Sequence, residues 1–227
     1  MLTPQKKLGI VFDLDGTLIN SMPMVVAAFR YAVRAFGVNP SGDEVVARLG
    51  GPPDVCLRNL LGEDRNVPEA LDRLIDYNEE HQKDVEPFGG AEELLGRLLR
   101  SKTQVALWTG RDRETTSEIL TANSWWKHFQ LVVCGDDFGT HKPDPEGLTH
   151  ILEELSLGSS EVLFVGDADV DVLAGYAAGV STLLIRNGRS VSDHIKGISR
   201  EWVETPQQAY DILAARVLTE TPSLRHE

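Results

Sequence analysis

The residues able to do chemistry fall in four clusters, each directly after a short apolar run. Asp13-Leu14-Asp15-Gly16-Thr17 follows Leu8–Phe12, and Thr109-Gly110-Arg111-Asp112 follows Gln104–Trp108. Beyond Leu131–Cys134 a short loop leads to Lys142-Pro143, and Val162–Val165 runs into Gly166-Asp167-Ala168-Asp169-Val170-Asp171. Each cluster alone has a structural reading. Asp15-Gly16 is a common turn pair, Lys142-Pro143-Asp144-Pro145 a helix entry and Asp167 a helix N-cap. Together they assemble acids, a lysine and a hydroxyl in a regular order that turn chemistry does not require.

The elements that must position these clusters are strands. The four runs, with Thr182–Ile185 as a weaker fifth, are continuously apolar and rich in β-branched residues. That pattern predicts strands covered on both faces, as in a parallel sheet. Helical patterns lie between them. Ala91–Lys102 is apolar at Leu94, Leu95, Leu98 and Leu99; Glu146–Leu155 and Asp171–Ala178 behave similarly, with Gly179 placed for a left-handed cap. Thr205-Pro206-Gln207-Gln208 reads as a capping box with Pro at the first helical position, opening a last helix to about Leu218. Such alternation predicts a doubly wound α/β sheet. Ligands of open α/β sheets bind beyond the carboxyl ends of the strands, the edge at which all four clusters arrive.

One stretch departs from the alternation. Asn20 to Pro87 holds helical segments only: Met22–Phe36 ending at Gly37, Pro53–Leu61 ending at Gly62, and Pro68–Lys83 ending before Pro87. It is too long for a loop and reads as a small helical cap domain inserted after the first strand.

Composition narrows the function. The 227 residues suffice for one large or two modest domains, and the 22 basic against 35 acidic residues give a formal charge of −13. Such a field repels nucleic acid and anionic lipid, so neither is an expected partner. It also repels a phosphorylated substrate at long range, so any anion site must be built locally from a cation and oriented backbone donors. Cys56 and Cys134 are far apart and read as buried thiols in a reducing cytosol. No run approaches the ~18 apolar residues of a membrane span, and the N-terminus lacks a signal-peptide core, so the expectation is a cytoplasmic protein.

The four clusters resemble motifs I to IV of the haloacid dehalogenase-like hydrolases: DLDGTL, the Thr of WTGRD, KPDP and GDADVD. The resemblance covers nearly the whole chain, and an insertion after motif I is similar to the family's C1 cap. It implies a Rossmann-like core at 1–19 and 88–227 and a cap at 20–87. It further implies magnesium held by Asp13, Asp15 (through its backbone carbonyl), Asp167 and Asp171, the last holding metal-bound waters or orienting Lys142. Asp13 would be the nucleophile on phosphorus and Asp15 the general acid–base. Lys142 would neutralise Asp13 beside the phosphoryl group, while Thr109 and the backbone at Gly110 receive phosphate oxygens.

The implied reaction is hydrolysis of small phosphorylated metabolites, similar to that of phosphoglycolate phosphatases. Asp15 favours phosphate esters or anhydrides, because family members with dehalogenase or phosphonatase chemistry lack an acid there. The alternatives are a phosphomutase of the beta-phosphoglucomutase type and a catalytically idle binding module. Such mutases carry a cap His where this chain has Val25, and an idle site need not keep Asp13, Asp15, Lys142 and Asp167 together.

Two arginines stand open. Arg111 has two readings, a grip on a second anionic group of the substrate or a solvated surface residue. Arg48, just before Gly50-Gly51-Pro52-Pro53, either reads substrate from a glycine-flexible loop or is structural. His141 is read as incidental, Trp125 and Trp126 as satellite core, and His81 as solvated.

Overall fold

The computed structural model describes residues 9–49, 52–62, 66–81, 83–101, 103–199 and 201–220; Leu8, Gly50, Gly51 and Lys102 lie outside them. The strands, in chain order, are β1 (Gly9–Phe12), β2 (Ile19–Asn20), β3 (Glu86–Pro87), β4 (Gln104–Trp108), β5 (Leu131–Val133), β6 (Val162–Gly166), β7 (Ser181–Ile185) and β8 (Glu201–Val203). Six of them form one sheet in the order β5-β4-β1-β6-β7-β8, with β2 and β3 in a separate two-stranded sheet. All pairs of the larger sheet are parallel, with Phe12 opposite Leu107 on one side and Val165 on the other. Order and direction make this the expected α/β sheet. Its reversal point lies between β1 and β6, which carry the first and fourth clusters.

The chain divides into two compact units, 1–20 with 87–227 and 21–86. In the first, Val11, Ala106, Trp108, Phe164, Leu148 and Ile151 share one buried core. The continuous apolarity of the strands has its reason here, because β1 and β6 are buried at every position. Helices Ala91–Ser101, Glu146–Leu155 and Asp169–Ala177 pack their apolar stripes on the sheet. Gly179 takes φ +69, the left-handed conformation expected of a helix end. The last helix, Pro206–Glu220, opens on a reciprocal cap: Gln208 N–H donates to Thr205 Oγ1 at 3.4 Å and Thr205 N–H to Gln208 Oε1 at 3.3 Å.

Besides β2, further elements of this unit lie outside the sequence reading. Helix Arg113–Ala122 starts at Asp112, whose carboxylate accepts from Thr115 N–H at 2.7 Å. Helix Asp193–Ser199 and the edge strand β8 complete the C-terminal part.

The second unit is helical, with Met22–Arg34, Gly42–Val46, Pro53–Leu61 and Val67–His81. Val25, Ala28, Phe29, Ala32 and Val33 recur at helical spacing and face a core completed by Cys56, Leu57, Ala70 and Leu74. The five-residue helix at 42–46 is opened by Ser41 and Glu44, each side chain accepting from the other's backbone N–H at 3.2 and 2.8 Å. His81 corrects the solvated reading. Its ring stacks on Tyr77 at 4.1 Å and its Nδ1 lies 3.1 Å from the Tyr77 carbonyl.

Candidate active site at the carboxyl edge of the sheet

Asp13 N–H donates to the Val165 carbonyl at 2.8 Å, so Asp13 continues β1 and lies at the sheet's carboxyl end. The chain then turns sharply through Gly16, whose N–H donates to the Ile19 carbonyl at 2.9 Å. Gly16 sits at φ +68, and a Cβ there would lie 2.1 Å from Asp167 Oδ2. Only glycine both adopts that conformation and lets the Asp167 carboxylate approach so closely. Thr109 N–H donates to the Val133 carbonyl at 3.0 Å, and its Oγ1 accepts from Arg111 N–H at 3.2 Å. Lys142 leaves the loop after β5 through a cis peptide bond to Pro143.

The side chains meet in a cleft of about 380 Å³ lined by Asp13, Asp15, Thr109, Gly110, Arg111, Lys142, Asp167 and Asp171, among others. At its floor Lys142 Nζ uses three donors: 2.7 Å to Asp13 Oδ1, 2.8 Å to Asp171 Oδ1 and 2.7 Å to the Trp108 carbonyl. Asp171 Oδ2 also accepts from Ala168 N–H at 2.9 Å, so Asp171 is fixed at both oxygens. Burial disfavours the Lys142 ammonium, yet the Asp13 and Asp171 carboxylates outweigh it and push its pKa up. Burial pushes the Asp13 carboxyl well above the usual carboxylate range; Lys142 opposes that shift and the charges of Asp171 and Asp167 add to it.

Ligand oxygens of Asp13, Asp167 and Asp171 lie within 4.8 Å of one another. Three carboxylates, two of them sharing the Lys142 ammonium, leave an excess of negative charge in a poorly hydrated place. Asp167 shows the effect, its pKa raised to about 6 by burial and then by Asp171, against an opposing hydrogen bond from Asn187. An all-oxygen donor set with uncompensated charge suits a small hard cation.

Asp15 stands at the side of the cleft. Arg111 holds it with a fork, Nε to Oδ2 and Nη2 to Oδ1, both at 2.7 Å. Of the two readings of Arg111, the solvated one is therefore set aside: the guanidinium is engaged with an acid of the site. The remaining placements divide cleanly. Arg48 belongs to the 21–86 unit, where Nη1 donates to the Glu44 carbonyl at 2.9 Å. His141 lines the cleft without a described hydrogen bond to its acids. Cys56 and Cys134 are both buried, as expected. Trp125 is buried with its indole N–H donating to Glu92, whereas Trp126 is exposed.

Two residues of the site were missed. Asn187 and Arg189, in the loop after β7, both reach Asp167: Asn187 Nδ2 lies 3.2 Å from its Oδ2, and Arg189 Nη2 donates to its carbonyl. Asn187-Gly188 is a turn pair after the fifth apolar run, the signal by which a fifth strand end could have joined the other four.

Comparison with known proteins agrees with this geometry. The family model of haloacid dehalogenase-like hydrolases matches residues 10–185. The chain belongs to the haloacid dehalogenase-like hydrolases. It is 31% identical over 189 residues to a phosphoglycolate phosphatase of Pseudomonas fluorescens, covering 79% of this chain and 69% of that protein. It is also 29% identical to a pyrophosphatase of Halalkalibacterium halodurans, covering 86% of this chain and 90% of that one. Among solved structures, a haloacid dehalogenase-like protein of Streptococcus pneumoniae superposes with a TM-score of 0.73 at 20% identity, covering 91% of this chain and 98% of that one. At such identity the likeness is one of fold.

Proposed function

We propose that this chain is a magnesium-dependent phosphatase that cleaves small phosphorylated metabolites through a phosphoryl group carried on Asp13. The observation that carries the reading is the meeting of Asp13, Asp167 and Asp171 within 4.8 Å of one another, with Lys142 bound to the first and the last. The relatives named above act, by name, on phosphoglycolate and on pyrophosphate, which points to phosphate monoesters or anhydrides of small molecules.

Asp13, the Asp15 backbone carbonyl and Asp167 would hold magnesium, with Asp171 behind them; when bound, the ion supplies positive charge against the phosphoryl oxygens. Asp13, oriented through Oδ1 by Lys142, attacks phosphorus as Asp15 protonates the departing oxygen. Asp15, now a carboxylate, takes a proton from water, which attacks phosphorus and releases phosphate and free Asp13. Lys142 stays charged throughout because two carboxylates hold its proton. Thr109 Oγ1 and the backbone N–H groups at Asp15 and Gly110 are proposed to receive phosphoryl oxygens, preorganised donors of the kind that stabilise transferred charge. For Asp15 to work, Arg111 must loosen its fork, and a second anionic group of the substrate is a natural new partner for the freed guanidinium.

Residues 20–87 are proposed as a cap, with Arg48 as a residue that reads the substrate. If so, Arg48→Ala changes the ranking of substrates; a uniform loss across a panel would mark it as structural. Val25, where the mutases carry a His, is an aliphatic residue packed against the helical core and can neither donate nor accept a hydrogen bond. That supports release of phosphate to water over its return to substrate.

The experiment is a panel of phosphorylated metabolites, pyrophosphate included, assayed with magnesium and with chelator. Phosphate release from a subset, lost in chelator and restored by magnesium, is expected. Full activity in chelator, or conversion of a hexose 1-phosphate to the 6-phosphate faster than phosphate is freed, contradicts the proposal.

A further inference from the structure

The loop after β7 holds a turn whose construction exceeds what a connection needs. Arg186 to Arg189 closes with Arg189 N–H donating to the Arg186 carbonyl at 2.8 Å. Asn187 and Gly188 sit at φ +49 and +75, the left-handed pair that Asn-Gly adopts readily. The Arg186 guanidinium locks the turn from behind. Its Nε and Nη2 each donate to the Arg189 carbonyl at 3.2 Å, its Nη1 to Glu204 Oε1 at 2.8 Å, and it lies 4.9 Å over the Trp202 ring. The backbone is fixed too, with Asn187 N–H donating to the Glu204 carbonyl at 3.0 Å and Arg186 N–H to the Val203 carbonyl at 2.8 Å.

What this turn presents is the Asn187 amide. Nδ2 donates to the Gly16 carbonyl at 2.8 Å and to Asp167 Oδ2 at 3.2 Å. One amide thus ties the loop after β1 to the loop after β6, where Asp167 already lies against Gly16 too closely for any side chain. Arg189 adds a bond from Nη2 to the Asp167 carbonyl and a 3.4 Å contact from Nη1 to Asp169. Asp167 differs here from Asp13 and Asp171, which share the Lys142 ammonium. Among the described residues, the side chain donating to its carboxylate is a neutral one.

A neutral donor fixes a carboxylate without neutralising it. A lysine at position 187 would orient Asp167 as well, but it would compete with any cation for the same charge. We infer that Asn187 is a positioning residue of the metal site, aiming the Asp167 carboxylate and the loop at Gly16 toward the ion while leaving the acid's charge for it. The inference rests on the magnesium reading given above. Groups that orient a metal ligand typically contribute about 10- to 100-fold in affinity.

The test is magnesium binding to the full-length protein without substrate, followed by calorimetry, for the wild type, Asn187→Gly and Asp167→Asn. Glycine keeps the left-handed turn and removes only the amide. Asn187→Gly is expected to weaken magnesium binding by about 10- to 100-fold, to melt like the wild type in chelator, and to regain turnover at raised magnesium. Wild-type magnesium affinity in Asn187→Gly, beside a clear loss in Asp167→Asn, overturns the role of Asn187 alone. Wild-type affinity in both variants overturns the metal site itself. A fall in metal-free melting temperature with unchanged magnesium affinity marks the turn as structural only.

Discussion

The cleft contains two groups of acid and base built in opposite ways, a lysine between two aspartates and an arginine on one. On the floor, Lys142 joins Asp13 and Asp171, with the side chains only 9%, 10% and 1% exposed. At the side, Arg111 joins Asp15, with side chains 13% and 34% exposed. Lysine is a point charge whose three donors are used on three different acceptors; arginine is a planar fork matched to one carboxylate. The buried group cannot be opened without leaving uncompensated charge in a poorly hydrated place, at a cost of about 3–5 kcal/mol. In the half-exposed pair, solvent or a substrate anion can replace either partner. The difference fits the proposed division of labour: Asp13 must hold still while phosphorus is transferred, and Asp15 must be free to take and return a proton.

The comparison breaks most directly at Asp13. Asp13→Asn keeps the shape but cannot attack phosphorus, so steady-state turnover should fall by more than about a thousandfold. Residual activity above that level would remove Asp13 from the nucleophile's place. Next is Lys142→Met, which fills similar volume and strands two carboxylates. Denaturant unfolding of the metal-free protein should show a loss of about 3–5 kcal/mol, with turnover nearly abolished. A loss under about 1 kcal/mol would mean that the floor pair is no tighter than a surface pair.

Arg111→Ala should cost far less stability, about 0–1 kcal/mol. Its effect should lie in KM, larger for substrates with a second anionic group than for those without. Arg111→Lys should not restore it, since an ammonium cannot reproduce the fork. Equal changes for both substrate types would leave Arg111 as a holder of Asp15 only.

The smallest effect concerns pH. Asp167 in the folded, metal-free protein has a pKa raised to about 6, above its unfolded value of about 4. The native state then binds the proton more tightly than the unfolded state, so this group's contribution to stability falls as pH rises through that window and is lowest above it. Metal-free protein should therefore gain from Asp167 as pH falls from about 7 toward 5, while magnesium affinity declines over the same range. Asp167→Asn should flatten the stability trend; an unchanged trend would assign it to other groups.

How much of this was legible in the sequence follows from what each residue must satisfy. β1, β4 and β6 could be read because strands covered on both faces admit only apolar residues, and the reactive residues followed because such strands end at one edge. β8 could not, since Glu201 and Trp202 are exposed and only Val203 is buried at the sheet's edge. Helix Arg113–Ala122 shows only half of its buried face as apolar residues, Ile119 and Leu120; the other half is Thr115 and Thr116, which do not register as apolar. The Arg111–Asp15 fork joins residues 96 apart and depends on side-chain direction, which spacing along a chain does not encode. Asn187 escaped because it holds a carboxylate rather than reacting. Its one visible sign was the Asn-Gly pair, equally at home in any turn.

The central claim is that phosphorus passes through Asp13 before it reaches water. Its most direct test is the stereochemistry of hydrolysis, using a phosphorothioate monoester made chiral by oxygen isotopes and cleaved in isotopically labelled water. Two successive in-line displacements, first by Asp13 and then by water, predict retention of configuration at phosphorus. Inversion would mean that water attacks the substrate directly, and would contradict the account.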